Sequence, residues 1–344
     1  MSAAVPRGSI LGLGNPLLDV SAVVDQAFVD KHQIPMGQQI LAEPKHDAMY
    51  TEMAERYTLA ETPGGACQNA IRAAQRVLGT PQATAYMGCV GNDAFGTRQR
   101  ELCSRAGVEV NYMVHPTAPT GVCAACVLGH ERALIARIAA AGQFNVSHMQ
   151  LPEAQAMLKR AKVMYVEGFF LMVSMDAIRM MAAECAESTR KGVRKSFCLN
   201  LSAAFCINGD YDKIQELMPR IDILFSNDDE ARVYAKRAGW EETDVAAIAE
   251  RIARLPKEDS AHPRLVIFTQ GTQPTVVASG AAPTRTFAIV PVPKEELVDT
   301  NGAGDSFVGG FLAHYVRDEA LEACVQAGHE LAAIKVRHQG CVWD

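Results

Sequence analysis

From Ser9 to Gly14 the chain reads Ser-Ile-Leu-Gly-Leu-Gly, a short apolar run that breaks at Asn15-Pro16. Comparable runs recur at Ala83–Cys89, Val163–Glu167, Ser196–Leu201, Ile221–Ser226 and Leu265–Thr269. Each is too short for a helix and almost continuously apolar, as a strand buried on both faces must be. Between them, Cys67–Leu78, Ser174–Ser188 and Thr243–Ala253 carry apolar residues at helical spacing. Strands alternating with helices predict an α/β fold with a central, mostly parallel, doubly wound sheet and right-handed crossovers. Two segments break the rhythm. Residues 16–63 and 117–140 contain strand-like runs, Val122–Leu128 and Ala133–Ile138 among them. They predict a small, discontinuous β-rich lid, leaving 1–15, 64–116 and 141–344 for the large α/β body.

The richest stretch is Asp299-Thr300-Asn301-Gly302-Ala303-Gly304-Asp305, followed by Ser306-Phe307-Val308-Gly309-Gly310-Phe311. Small residues lead into a carboxylate and then into an apolar helical pattern. Such a turn points backbone N–H groups at one spot on a helix N-terminus, where they hold an anion. A carboxylate beside that spot suits phosphoryl transfer to a hydroxyl. A plain helix cap is the better explanation of the Gly-Ala-Gly-Asp tetrapeptide alone; the full thirteen residues favour the anion site.

Other candidates carry two readings each. Asn15 and Asp19 follow the first strand, at the sheet edge where ligands bind, and suit vicinal hydroxyls; they also suit an ordinary turn. Gly64 and Gly65, with Asn69 in the next helix, read as a hinge or as a close backbone approach to a ligand. Asn227-Asp-Asp-Glu230 has capping-box spacing, and the same side chains suit waters around Mg²⁺. Phe169-Phe170 ends a strand where a flat base stacks, although such pairs usually fill cores. Arg132, in the lid segment, is placed to reach a transferring phosphoryl group. Gly12-x-Gly14 lacks the third glycine of a dinucleotide fingerprint, and no Walker-type phosphate loop is present.

Composition narrows the field. The 344 residues are 49% hydrophobic and 21% charged, with a formal net charge of −6. That gives ample core material and no basic field to attract nucleic acid or an anionic membrane. No apolar run reaches the ~18 residues of a membrane span. The ten cysteines are scattered, and Met1-Ser-Ala-Ala-Val-Pro-Arg is not a secretory leader, so reduced thiols in a cytoplasmic protein are expected. Cys123 and Cys126 lie three apart in an apparent strand and should face opposite sides, which argues against a metal knuckle.

Taken together, the chain resembles the ribokinase-type (PfkB) carbohydrate and nucleoside kinases, in particular their adenosine branch. The residues that carry the resemblance are Gly-Asn-Pro-Leu-Leu-Asp at 14–19, Gln-Ile-Leu-Ala-Glu at 39–43, Gly-Gly at 64–65 with Gln-Asn at 68–69, and Pro-Thr-Gly at 119–121. Cys-Ala-Ala-Cys at 123–126, Gly-Phe-Phe-Leu at 168–171, Leu-Asn-Leu-Ser-Ala at 199–203, Ile-Phe-Thr-Gln-Gly at 267–271 and the run at 299–305 complete it, in unbroken order from about residue 9 to the end. The resemblance implies a ribokinase-like fold with a nucleotide-binding body. It implies transfer of the ATP γ-phosphoryl group to the 5′-hydroxyl of adenosine, with Mg²⁺, in a monomer. By matched position, Asp305 is the base, and Gly302, Ala303 and Gly304 form the anion hole, with Arg132 assisting. Asp19, Gly64, Gly65 and Asn69 hold the ribose, with Asn15 and Asn301 nearby; Leu17, Leu41, Leu134 and Phe170 wall the adenine. Asn227 and Glu230 serve the metal through water, and Thr269, Gly271, Gly304 and His329 join Asn227 along ATP. Ala66, Cys67 and Arg137 depart from the Ser, Thr and Asn usual in vertebrate members. A kinase for inosine, guanosine or a sugar, and a non-catalytic nucleoside binder, are the alternatives.

Overall fold

The computed structural model describes residues 4–343 apart from His130 and Val290. The chain enters through β1 (Ile10–Leu13) and leaves at once for a second sheet with β2 (Leu17–Val23), α1 (Gln26–His32), β3 (Gln39–Leu41), α2 (Asp47–Arg56) and β4 (Ala60–Gly64). It returns through α3 (Ala66–Leu78), β5 (Thr84–Gly91), α4 (Ala94–Arg105) and β6 (Glu109–His115). A second excursion, β7 (Val122–Leu128) and β8 (Glu131–Arg137), precedes α5 (Pro152–Arg160), β9 (Val163–Glu167), α6 (Met175–Arg190) and β10 (Ser196–Asn200). Then come α7 (Ala204–Leu217), β11 (Ile223–Asn227), α8 (Asp228–Arg237), α9 (Val245–Ala253) and β12 (Leu265–Gln270). The antiparallel pair β13 (Gln273–Ser279) and β14 (Ala282–Phe287), then α10 (Ala303–Tyr315) and α11 (Leu321–Lys335), complete the chain.

The larger sheet has nine strands in the order β14-β13-β12-β11-β10-β9-β1-β5-β6, parallel from β12 to β6. Its apolar runs alternate between two cores. Leu11, Leu13, Met164, Val166, Phe197 and Leu199 face the layer built on α5 to α9. Ile10, Tyr86, Val163, Tyr165, Cys198 and Phe225 face α3, α10 and α11. Each large side chain so buried contributes about 1.5–3 kcal/mol. The expected strands and helices appear within two or three residues of their predicted ends.

The second sheet has five strands in the order β3-β8-β7-β2-β4. The expected short strands are there, but so are α1 and α2, which the apolar spacing did not reveal. These two helices cover one face, packing Phe28, Val29, Met49, Tyr50 and Met53 on Leu18, Val20, Val122, Ala124 and Ile135. The alternate residues Leu17, Asp19, Cys123 and Leu134 therefore share the opposite face. Cys126 is buried in the helix-covered core while Cys123 keeps part of its surface, so the two thiols do face apart. All ten cysteines are free. Among the described residues no helix is long and apolar enough to cross a membrane.

Candidate active site

The loop before α10 is fixed by an ion cluster beneath it. Lys335, with no exposed surface, donates from Nζ to the Asp299 carbonyl at 2.8 Å and the His338 carbonyl at 3.1 Å. The Asp299 carboxylate accepts from the Asn301 N–H at 3.0 Å and the Gly340 N–H at 3.1 Å. Burial works to raise its proton affinity, but these donors and the nearby Lys335 and Arg132 outweigh burial and hold it below the usual range. Arg132 reaches across from β8, its Nη2 lying 3.8 Å from Asp299 Oδ1. Gly302 turns the chain at φ +78°, and a Cβ there would overlap Cys341 Sγ, so glycine is required twice over.

Gly302 leaves α10 without a side-chain cap. The Ala303 N–H donates to the Thr300 carbonyl at 3.2 Å. Among the described residues nothing accepts from the Gly302, Gly304 or Asp305 N–H, whereas the Ala303 N–H is engaged within the loop, so the free donors are those of Gly302, Gly304 and Asp305. They point from the positive end of a thirteen-residue helix.

Asp305 lies in that first turn. Asn69 Nδ2 donates to its Oδ2 at 3.1 Å. Burial lifts its proton affinity to about 6, against the pull of the Asn69 bond and Lys335. Asn69 is steadied by Arg72, whose Nη1 donates to the Pro63 carbonyl at 2.6 Å and whose guanidinium lies over Trp343, 5.3 Å from the ring centre. Asp19 stands on β2 opposite Thr62 and Cys123, in the space that a side chain on Gly64 would fill. Burial lifts it to about 7, with Arg72 opposing and the Asp305 and Asp299 charges adding. Asp19 thus senses the charges of Asp305 and Asp299.

From Asp305 a cleft of about 170 Å³ runs over the carboxyl ends of the strands, lined by Ala66, Phe169, Asn200, Asn227, Glu230, Thr269 and Gly304. At its far end Asn227 and Glu230 form a complete capping box. Asn227 Oδ1 accepts from the Glu230 N–H at 2.8 Å, and the Glu230 carboxylate accepts from the Asn227 N–H at 3.0 Å. Ser226 Oγ at 3.0 Å and Asn227 Nδ2 at 2.7 Å also donate to Glu230. Burial still raises its proton affinity against those bonds.

An anion-binding helix start, a raised carboxylate and an elongated cleft at a strand edge are the parts of a phosphoryl-transfer site. The model of the pfkB family carbohydrate kinases matches residues 36–343. The chain belongs to this family. It is 43% identical over 336 residues to adenosine kinase 1 of Arabidopsis thaliana, covering 98% of this chain and 96% of that one. It is similar to the crystal structure of Anopheles gambiae adenosine kinase in complex with P1,P4-di(adenosine-5) tetraphosphate, at 38% identity and a TM-score of 0.84 over 98% of this chain and 97% of that one. Apo adenosine kinase of Trypanosoma brucei brucei superposes with a TM-score of 0.88 at 28% identity, over 96% and 98% of the two chains.

Within this pfkB-family kinase, Asn15, Asp19, Gly64, Gly65, Asn69, Gly302, Gly304 and Asp305 converge around the gap between the sheets. Leu17 and Leu134 flank it, half-buried, and Asn301 is exposed at its rim. Leu41 is 68% exposed, outside any wall in this conformation. Phe170 has no exposed surface and packs edge-on against Phe144 in the main core; Phe169 lines the cleft instead. Thr269 pairs with Asn227 in register. Gly271 lies on the exposed turn after β12, and His329 is buried beside Phe307 with Nε2 2.8 Å from Thr275 Oγ1. Neither Gly271 nor His329 lines the cleft. The sequence reading missed Glu167, Arg72, Asp299 and Lys335. Only Asp299, inside the run at 299–305, carried a signal that pointed to it.

Proposed function

We propose that the chain is an adenosine kinase in which adenosine lies between the two sheets and ATP lies along the cleft from Asp305 to Asn227. The observation that carries the reading is the uncapped start of α10. The free N–H groups of Gly302, Gly304 and Asp305 and a partly ionised carboxylate meet there, and 36–43% identical full-length relatives are adenosine kinases. Asp305 takes the proton of the 5′-hydroxyl. The new O–P bond forms as the bond from the γ-phosphorus to the β–γ bridging oxygen breaks, and ADP leaves. Charge on the transferring group meets the Gly304 and Asp305 N–H groups and the Arg132 guanidinium. The first two need no reorganisation, which is the larger part of such catalysis.

Both Glu230 oxygens are occupied by hydrogen bonds, so a metal here would be held through its own water, as Mg²⁺ readily is. When bound, Mg²⁺ offsets phosphate charge. Asp19 and Asn69 hold the ribose hydroxyls, and the sheet that carries Asp19 and Arg132 is the lid that excludes water. The protein acts as a cytosolic monomer with no nucleic-acid partner.

The test is ADP release from Mg-ATP with adenosine, inosine, guanosine and ribose offered in parallel. Turnover with adenosine, giving AMP, is expected. Preference for another acceptor would overturn the nucleoside assignment, and no turnover with any would overturn the kinase reading.

A further inference from the structure

Glu167 ends β9 directly beneath the nucleoside side of the gap, with 1% of its surface exposed and, among the described residues, no cation paired to it. A buried carboxylate must find donors, and both of its oxygens do so on backbone. Oε1 accepts from the Asn15 N–H at 3.0 Å and Oε2 from the Cys67 N–H at 2.6 Å. Those two amides belong to different chain crossings. Asn15 sits where the chain leaves the larger sheet for the second one, between β1 and β2. Cys67 sits where it returns, in the first turn of α3 just after β4.

The crossings also touch each other. Gly65, at φ +94°, packs against the Asn15 carbonyl so closely that a Cβ would overlap it. Gly14 likewise leaves room that Glu167 and Cys67 fill. From Cys67 the helix runs two residues to Asn69, the donor to Asp305. From Asn15 the chain runs into β2 and Asp19. Asn15 itself keeps a buried Oδ1 without a protein partner, while its Nδ2 donates to the Phe169 carbonyl at 3.4 Å.

We propose that Glu167 is a positioning residue for the nucleoside subsite. It fastens two crossings together and so sets the distance from Asn15 and Asp19, on one side, to Asn69 and Asp305, on the other. It touches no substrate, since its carboxylate is buried beneath the two crossings and turned to their backbone. The inference rests on the adenosine reading above only for which ligand feels the change.

The experiment compares the full-length parent with Glu167→Gln, which keeps the volume, and Glu167→Ala. A glutamine offers one carbonyl to two N–H groups and must turn its NH₂ toward the other. The adenosine KM should rise about tenfold or more in both variants, because a buried acceptor for two backbone N–H groups is lost. The ATP KM should stay within about twofold, because the α8 end of the cleft is untouched. Amide hydrogen exchange at Asn15 and Cys67 should be at least about tenfold faster in Glu167→Gln. A lowered melting temperature with unchanged adenosine KM would mean a merely structural carboxylate and overturn the proposal. Equal exchange rates at the two amides would overturn it as well. A parent that does not phosphorylate adenosine would count against the functional reading instead, and the exchange rates would still decide the fastening.

Discussion

The helices α8 and α10 both begin beside the cleft, and they treat their first turns in opposite ways. α8 starts with Asn227, whose side chain caps its own helix, and its first-turn carboxylate, Glu230, receives three hydrogen bonds. α10 starts with Gly302, which caps nothing, and its first-turn carboxylate, Asp305, receives one. Burial raises the proton affinity of both acids. What separates them is remaining hydrogen-bond capacity. An acid with most of its acceptor sites filled holds a loop in shape; an acid with an open oxygen beside open N–H groups is equipped to take a proton while an anion is held next to it.

Substitutions break or sharpen that contrast. The largest effect after loss of the base itself is expected from Gly302→Ala. A Cβ strains the left-handed turn and displaces Cys341, moving the Gly304 and Asp305 amides; initial rates should fall about 100-fold, the size of losing an anion-hole donor. Asp19→Ala should weaken adenosine binding about tenfold by calorimetry, since buried hydroxyls lose a charged partner.

Asp305→Asn should stabilise the fold at neutral pH by on the order of 1–2 kcal/mol, allowing for the part of the carboxylate open to water. The sign follows from the raised proton affinity. Folding favours the protonated acid, so the parent's stability is full below the ordinary value of 3.8 and declines as pH rises through about 6. An asparagine never ionises, so melting curves should separate above pH 6 and converge near pH 4. Equal melting at pH 7.5 would contradict the burial of Asp305. Asn227→Ala removes the cap and the Nδ2 bond to Glu230 and should cost roughly 0.5–2 kcal/mol in chemical denaturation.

The contrast was half legible in the sequence. Asn227 and Glu230 stand three apart before an apolar run, and both the cap and the phosphate-side reading followed from that spacing. The Gly-Ala-Gly-Asp run announced an anion site, but which N–H groups stay free depends on Ala303 folding back to Thr300, a matter of loop geometry. The parallel strands were legible because burial on both faces makes them uniformly apolar. The helices α1 and α2 were not. Each buries only three side chains, too few to show a period above the noise of a loop. Lys335 and Glu167 were invisible for another reason: the Asp299 that Lys335 holds lies 36 positions away, and the amides that Glu167 holds lie at least 100 away. A charged residue in an apolar segment does not announce which distant backbone it serves. Phe169 and Phe170 alternate around a short turn, so only coordinates decide which ring meets the cleft.

The account stands most directly on AMP formation by Asp305→Asn, measured beside adenosine calorimetry on the same preparation. It predicts turnover reduced about 10²–10⁴-fold with adenosine still bound within a fewfold of the parent affinity. Near-parental turnover in a folded, adenosine-binding Asp305→Asn protein would contradict it.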